Sequence, residues 1–194
     1  MYQISTVIYS FFYLNVLWCF FTLLGGGIFG LFPATLTVYT MLRCQLTTGE
    51  WVVSFREFWL IYRANFRPMI KPALLMYGVG YVLLLNNQYL EGLAGRPLGY
   101  VSLLLGLLFV AYCLIFFPVH AHFKLSFKEG MLKPFYVLMA NPVLGMVSIL
   151  MFLFSEWAVI HTAGVFLLFV ISVPAYVCMR LYWLYFEKLT LKGM

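Results

Sequence analysis

The chain has 194 residues, 64% of them hydrophobic and only 9% charged, with 12 Lys and Arg against 6 Asp and Glu. A soluble domain carries about 25% charge, so this composition excludes a water-soluble fold with a polar shell and makes lipid the solvent for most of the exterior. The net charge of +6 does not point to nucleic acid, because the cations sit at the ends of apolar runs rather than in one patch.

All the basic residues except Arg96 fall within 43–71, 124–133 and 180–192, and the runs between are nearly free of charge. Residues 1–42 are too long for one crossing of about 20 residues. Gly25-Gly26-Gly27 divides them into a span over 5–24 and a short one over 28–42, with Pro33 in the first turn of the second. Gly26 and Gly30 are spaced to give a close-packing helix face. No basic n-region or small-residue cleavage site marks the N-terminus as a signal peptide.

The most informative polar segment follows, over 51–67. At 100° per residue Trp51, Phe55, Phe58, Trp59, Tyr62 and Phe66 share one face, with Arg56, Arg63 and Arg67 on its flank. That pattern predicts a helix lying in the membrane surface, holding anionic headgroups or docking a partner. Further spans are expected at 72–90, 99–120, 134–155 and 158–180. Ser126 and Glu129 fit a capping box that starts a helix leading into the fifth span, which Asn141-Pro142 kinks. The expected fold is all-α: a single transmembrane domain over 1–194, a bundle of about six crossings with one interfacial helix after the second. Six crossings put both termini beside the basic stretches, hence in the cytoplasm. If 28–42 is re-entrant, the N-terminus moves outside and the other assignments stand.

Few residues suggest chemistry. Cys19, Cys44, Cys113 and Cys178 form no Cys-x-x-Cys pair, which speaks against a disulfide framework or a zinc site. His120 and His122 stand two apart, about 200° round a helix, so their rings do not converge on one ion. Gly25-x-Gly27-x-x-Gly30 matches a dinucleotide fingerprint in letters only, since it joins two lipid-length segments rather than a strand and a helix. Intramembrane polar groups are confined to residues such as Asn15 and Asn141, with no ionisable group expected at the midplane. Glu156 and His161 near the outer end read as interface anchors. No catalytic, cofactor or metal residue is assigned, and the chain is expected not to be an enzyme.

Tyr13-Leu-Asn15-Val-Leu-Trp18, the glycine turn and Gly30-Leu-Phe-Pro33-Ala34-Thr35 resemble the opening of the YesL-like family, small bacterial membrane proteins classed as domain of unknown function 624. Phe55-Arg-Glu-Phe-Trp59 with Tyr62-Arg-Ala-Asn65-Phe66 is similar to that family's first inside loop, and Lys124-Leu-Ser126-Phe-Lys128-Glu129 leading into Asn141-Pro142 also fits. The resemblance implies a Gram-positive cell-membrane protein, in a family often encoded beside sugar-importing ABC transporters. It supplies no catalytic residue, and the Glu-Ala-Ala…Gly loop by which ABC permeases meet their ATPases is missing here. The leading expectation is therefore an accessory or assembly subunit of a carbohydrate ABC importer, with a permease and anionic lipid as partners. A stand-alone solute transporter or channel would need a polar lining from Asn15, Thr22, Asn141 and Ser148. A membrane enzyme acting on lipid-linked or envelope glycans would need Glu156 and His161.

Overall fold

The computed structural model describes residues 2–51, 53–93, 95–123, 125–161 and 169–192. Among these the elements are seven helices and no strand: α1 Tyr2–Leu24, α2 Ile28–Thr48, α3 Phe55–Leu93, α4 Gly95–His122, α5 Phe127–Ala140, α6 Pro142–His161 and α7 Ser172–Lys192. Four described stretches are long and apolar enough to cross a membrane: Ser5–Leu24, Phe55–Asn86, Gly99–His122 and Pro142–His161. The fold is a helical membrane bundle. Helix α2 is its hub, packed by α1, α3, α4 and α7. The stretch Phe32–Tyr39 is buried without a break, as expected of a helix apolar on every side.

The α1–α2 reversal rests on its glycines. Gly26 and Gly27 take φ of 77° and 73°, a region L side chains avoid. Their N–H groups bond the carbonyls of Leu23 and Thr22 at 2.9 Å each, closing the end of α1. Gly30 then lies against the backbone of Thr22, Phe21 and Gly25. Gly26 itself faces open space, so it serves the turn, and Gly25 with Gly30 makes the close contact expected of Gly26 with Gly30.

Several boundaries differ from the sequence expectation. Helix α2 runs past residue 42 to Thr48, because the Thr47 and Thr48 hydroxyls fold back onto the Cys44 carbonyl and Gly49 closes the helix at φ 75°. Pro33 lies in its second turn, not its first. There it leaves the Phe29 carbonyl without its helical donor, and its own carbonyl accepts from Thr37 Oγ1 at 2.7 Å.

The interfacial helix over 51–67 and the span over 72–90 are one helix, α3, of 39 residues. It starts at Phe55, where Ser54 Oγ accepts the Glu57 N–H at 3.2 Å. It continues through Pro68 and Pro72 because Met69, Pro72, Ala73 and Met76 are buried against the bundle, and that packing offsets the lost backbone bonds. At 1.5 Å per residue α3 is about 58 Å long, nearly twice the hydrocarbon thickness of about 30 Å.

The fifth span is displaced. The chain breaks between α5 and α6 at Asn141, whose φ of −145° and ψ of 81° are non-helical. The following proline disfavours the α conformation there and starts the next helix. The apolar span is therefore 142–161 rather than 134–155. The sixth span, 158–180, is not one helix: its first residues finish α6, α7 begins at Ser172, and 162–168 lie outside the described residues.

Candidate functional site

The residues expected to dock lipid or a partner are held against the bundle by Phe21 of α1. Its ring lies 4.9 Å from Phe58, 5.0 Å from Tyr62, 5.3 Å from Phe55 and 5.8 Å from Trp59, centroid to centroid. Nearly three turns earlier along α1, Phe11 meets Trp51 edge-on at 5.0 Å. The chain from Trp51 to Tyr62 thus climbs beside α1 in the direction in which α1 advances from Phe11 to Phe21. It does not lie flat across one end of the bundle. Phe58 is 0% and Tyr62 4% exposed, whereas Phe55 at 49% and Trp59 at 38% keep one side open. Phe66 is half-buried, and Arg56, Arg63 and Arg67 point outward. Much of the aromatic face is spent on intramolecular packing, and the cationic flank with the open sides of Phe55 and Trp59 remains free. The glycine turn and the 51–67 segment were expected at opposite faces of the membrane. Gly25 touches the Tyr62 hydroxyl, so the two share one depth.

The opposite end of the bundle gathers the other basic stretches. Arg43 Nη1 donates to the Ala121 carbonyl at 2.8 Å, joining α2 to α4. The His122 ring sits among Phe123, Phe186 and Trp183 at 4.7, 4.7 and 5.5 Å, and Lys133 Nζ lies 4.7 Å over Phe123. His120 turns the other way, its ring 3.8 Å from Phe116 and its Nε2 edge toward Gly130, so the two imidazoles part. The capping box forms as expected, with the Ser126 N–H and hydroxyl donating to Glu129 Oε2 at 3.1 and 2.9 Å. Those bonds, backbone first, hold the Glu129 carboxyl below the usual carboxylate range.

A cavity of about 590 Å³ opens between α2, α3, α4, α6 and α7, with Trp18 of α1 at its edge. Its walls are chiefly apolar, including Phe32, Phe109, Phe152 and Pro174. Of the polar lining expected for a channel, only Ser148 faces it. Ser148 is committed to the Leu144 carbonyl at 2.9 Å and the Tyr182 hydroxyl at 3.2 Å. Asn15, 3% exposed, instead accepts the Ile171 N–H at 3.3 Å and pins the start of α7 to α1. Asn141 caps α5. Glu156 borders the cavity, whereas His161 stacks on Trp157 at 4.6 Å. Five residues apart on one helix, they diverge by about 140° and do not form an acid–base pair. Among the described residues no three His, Cys, Asp or Glu side chains come together.

Beyond Gly78, α3 and the first half of α4 form a two-helix arm. It is held internally by the Phe109 ring beside Gly80 and by Asn86 Nδ2 donating to Ser102 Oγ at 3.3 Å. Val82, Leu84, Tyr100, Leu103 and Leu104 are all more than half exposed. Gly78, Gly99 and Gly106 have open space where a side chain would stand. Sequence reasoning missed this arm and missed Phe21, since a continuous apolar run has no polar face to show which side packs.

The architecture is that of a polytopic helical membrane protein. Residues 11–87 match the family described as "Protein of unknown function, DUF624". The chain is 29% identical over 180 residues to the "Uncharacterized protein YteU" of Bacillus subtilis (strain 168), covering 90% of this chain and 79% of the relative. It is 27% identical over 130 residues to YesL of the same organism, 67% of this chain and 62% of YesL. With YesV it shares 29% over 121 residues, 60% and 58% of the two chains. No solved structure matches. These matches bear out the resemblance to the YesL-like DUF624 family. The motifs that carried the resemblance meet in space: Trp18 Nε1 donates to Thr35 Oγ1 at 3.0 Å, joining the Asn-x-x-Trp and Phe-Pro-Ala-Thr elements.

Proposed function

We propose that the chain is a non-enzymatic accessory or assembly subunit of a carbohydrate ABC importer in the bacterial cell membrane. The observation that carries the reading is the α3–α4 arm. Val82, Leu84, Leu103 and Leu104 are exposed on it, and its glycines at 78, 99 and 106 meet nothing. A glycine in a helix costs about 1 kcal/mol relative to alanine. In lipid that cost is offset where a second helix approaches the bare backbone closely. A permease helix is the occupant this reading assigns, and the importer class rests on the gene neighbourhood implied by the family. Both termini face the cytoplasm in this reading. Support comes from the convergence of Arg43, Lys133 and the Trp183–Phe186 end of α7 at one end of the bundle.

The test is mass spectrometry of what co-purifies with the tagged chain from gently solubilised native membranes. Permease subunits are expected with the natural chain and a loss of about tenfold or more in a Gly78→Leu/Gly106→Leu variant, equivalent to about 1.4 kcal/mol. The variant's own melting temperature should not fall, since neither position touches the bundle. Equal recovery of permease from both chains, or none from the natural one, defeats the proposal. The 590 Å³ cavity favours a second reading, in which the chain by itself holds an apolar solute. Uptake of such a solute by vesicles containing this protein alone would favour that reading.

A further inference from the structure

A smaller recess, about 260 Å³, lies between the end of α1 and α3, lined by Leu24 and Gly25 on one side and by Trp59, Tyr62, Arg63, Phe66 and Arg67 on the other. We propose that it binds the phosphate-bearing headgroup of an anionic phospholipid. Arg63 and Arg67 stand one helical turn apart on the same side of α3, and both line the recess. No residue lining the recess carries a carboxylate. Two planar forks beside each other suit the non-bridging oxygens of a phosphate, which a guanidinium engages in pairs.

The second observation is independent of the arginines. Tyr62 is only 4% exposed, and its hydroxyl has no hydrogen-bond partner. A buried hydroxyl left unpaired costs about 1–3 kcal/mol. It sits at the Gly25 wall of the recess, where any side chain at position 25 would collide with it. Glycine at position 25 therefore makes room for the hydroxyl itself, which lies buried at the back of the recess.

The surroundings choose lipid over a soluble phosphate. Phe20, Leu23, Leu24 and Phe55 lie beside the recess with 49%, 76%, 57% and 49% of their surface exposed. They form a continuous apolar track along which an acyl chain can lie. A free anion gains nothing from that track. Two cations without a carboxylate also repel the ammonium of a zwitterionic headgroup, so the site selects a lipid of net negative charge. This site does not depend on the permease reading, because it needs no residue of the α3–α4 arm.

The test is native mass spectrometry of the delipidated, detergent-solubilised chain offered equimolar phosphatidylglycerol and phosphatidylcholine. Phosphatidylglycerol adducts should exceed phosphatidylcholine adducts about tenfold. Arg63→Gln/Arg67→Gln should bring the two lipids level. Arg56→Gln, on the same cationic stripe but outside the recess, should leave the preference unchanged. Equal adducts of both lipids in the natural chain would overturn the proposal. So would a loss in Arg56→Gln as large as in Arg63→Gln alone, or inorganic phosphate displacing the lipid at equal concentration.

Discussion

Two regions of this molecule use glycine in opposite ways. At the α1–α2 reversal Gly25 and Gly30 are pressed against backbone, and an added Cβ has nowhere to go. On the α3–α4 arm Gly78, Gly99 and Gly106 face nothing at all. The first set is explained completely by contacts within the chain: it lets two helices approach, and it makes room for the Tyr62 hydroxyl. The second set is left without an explanation from contacts within the described residues.

Substitutions sharpen the contrast. The largest effect is expected from Gly30→Leu, which drives a side chain into the Thr22 and Phe21 carbonyls and forces α1 from α2. Overpacking of this kind costs about 3 kcal/mol, and thermal denaturation in detergent should show a clear drop in Tm. An unchanged Tm would mean that the hairpin is looser than described. The opposite sign is expected at Gly106→Ala, where nothing is struck and the helix gains up to about 1 kcal/mol. A lower Tm there would show that the arm packs on the bundle after all. The smallest effect belongs to Glu129→Gln. The folded-state pKa of Glu129 is depressed. Its contribution is therefore present above the unfolded carboxylate pKa and is lost as pH falls through the folded value. Melting curves of Glu129→Gln and the natural chain should differ slightly at neutral pH and coincide in acid; a gap that widens in acid would contradict the assignment.

Much of this was legible in the residues. The three glycines placed the first reversal, Ser126 and Glu129 placed a helix start, and Asn141-Pro142 placed a discontinuity. What could not be read was depth. The 51–67 pattern marks an aromatic face and a cationic flank, but periodicity does not say whether lipid or Phe21 covers the rings. The end of the basic stretch at Lys71 suggested a boundary before the span at 72–90, because charge pattern does not reveal the buried Met69, Ala73 and Met76 that carry one helix through it. The recess arises from the same limitation: Tyr62 and Gly25 are 37 positions apart, and only the fold brings them into contact.

The hydrogen bond between Asn15 and the Ile171 N–H ties the first helix to the beginning of the last across 156 positions. A ribosome delivers the acceptor 156 positions before the donor. The contact between α1 and α7 therefore closes only after every helix between them has been made. Shortened products ending before that segment lack this latch, which makes closure of the barrel of helices a late event in biogenesis.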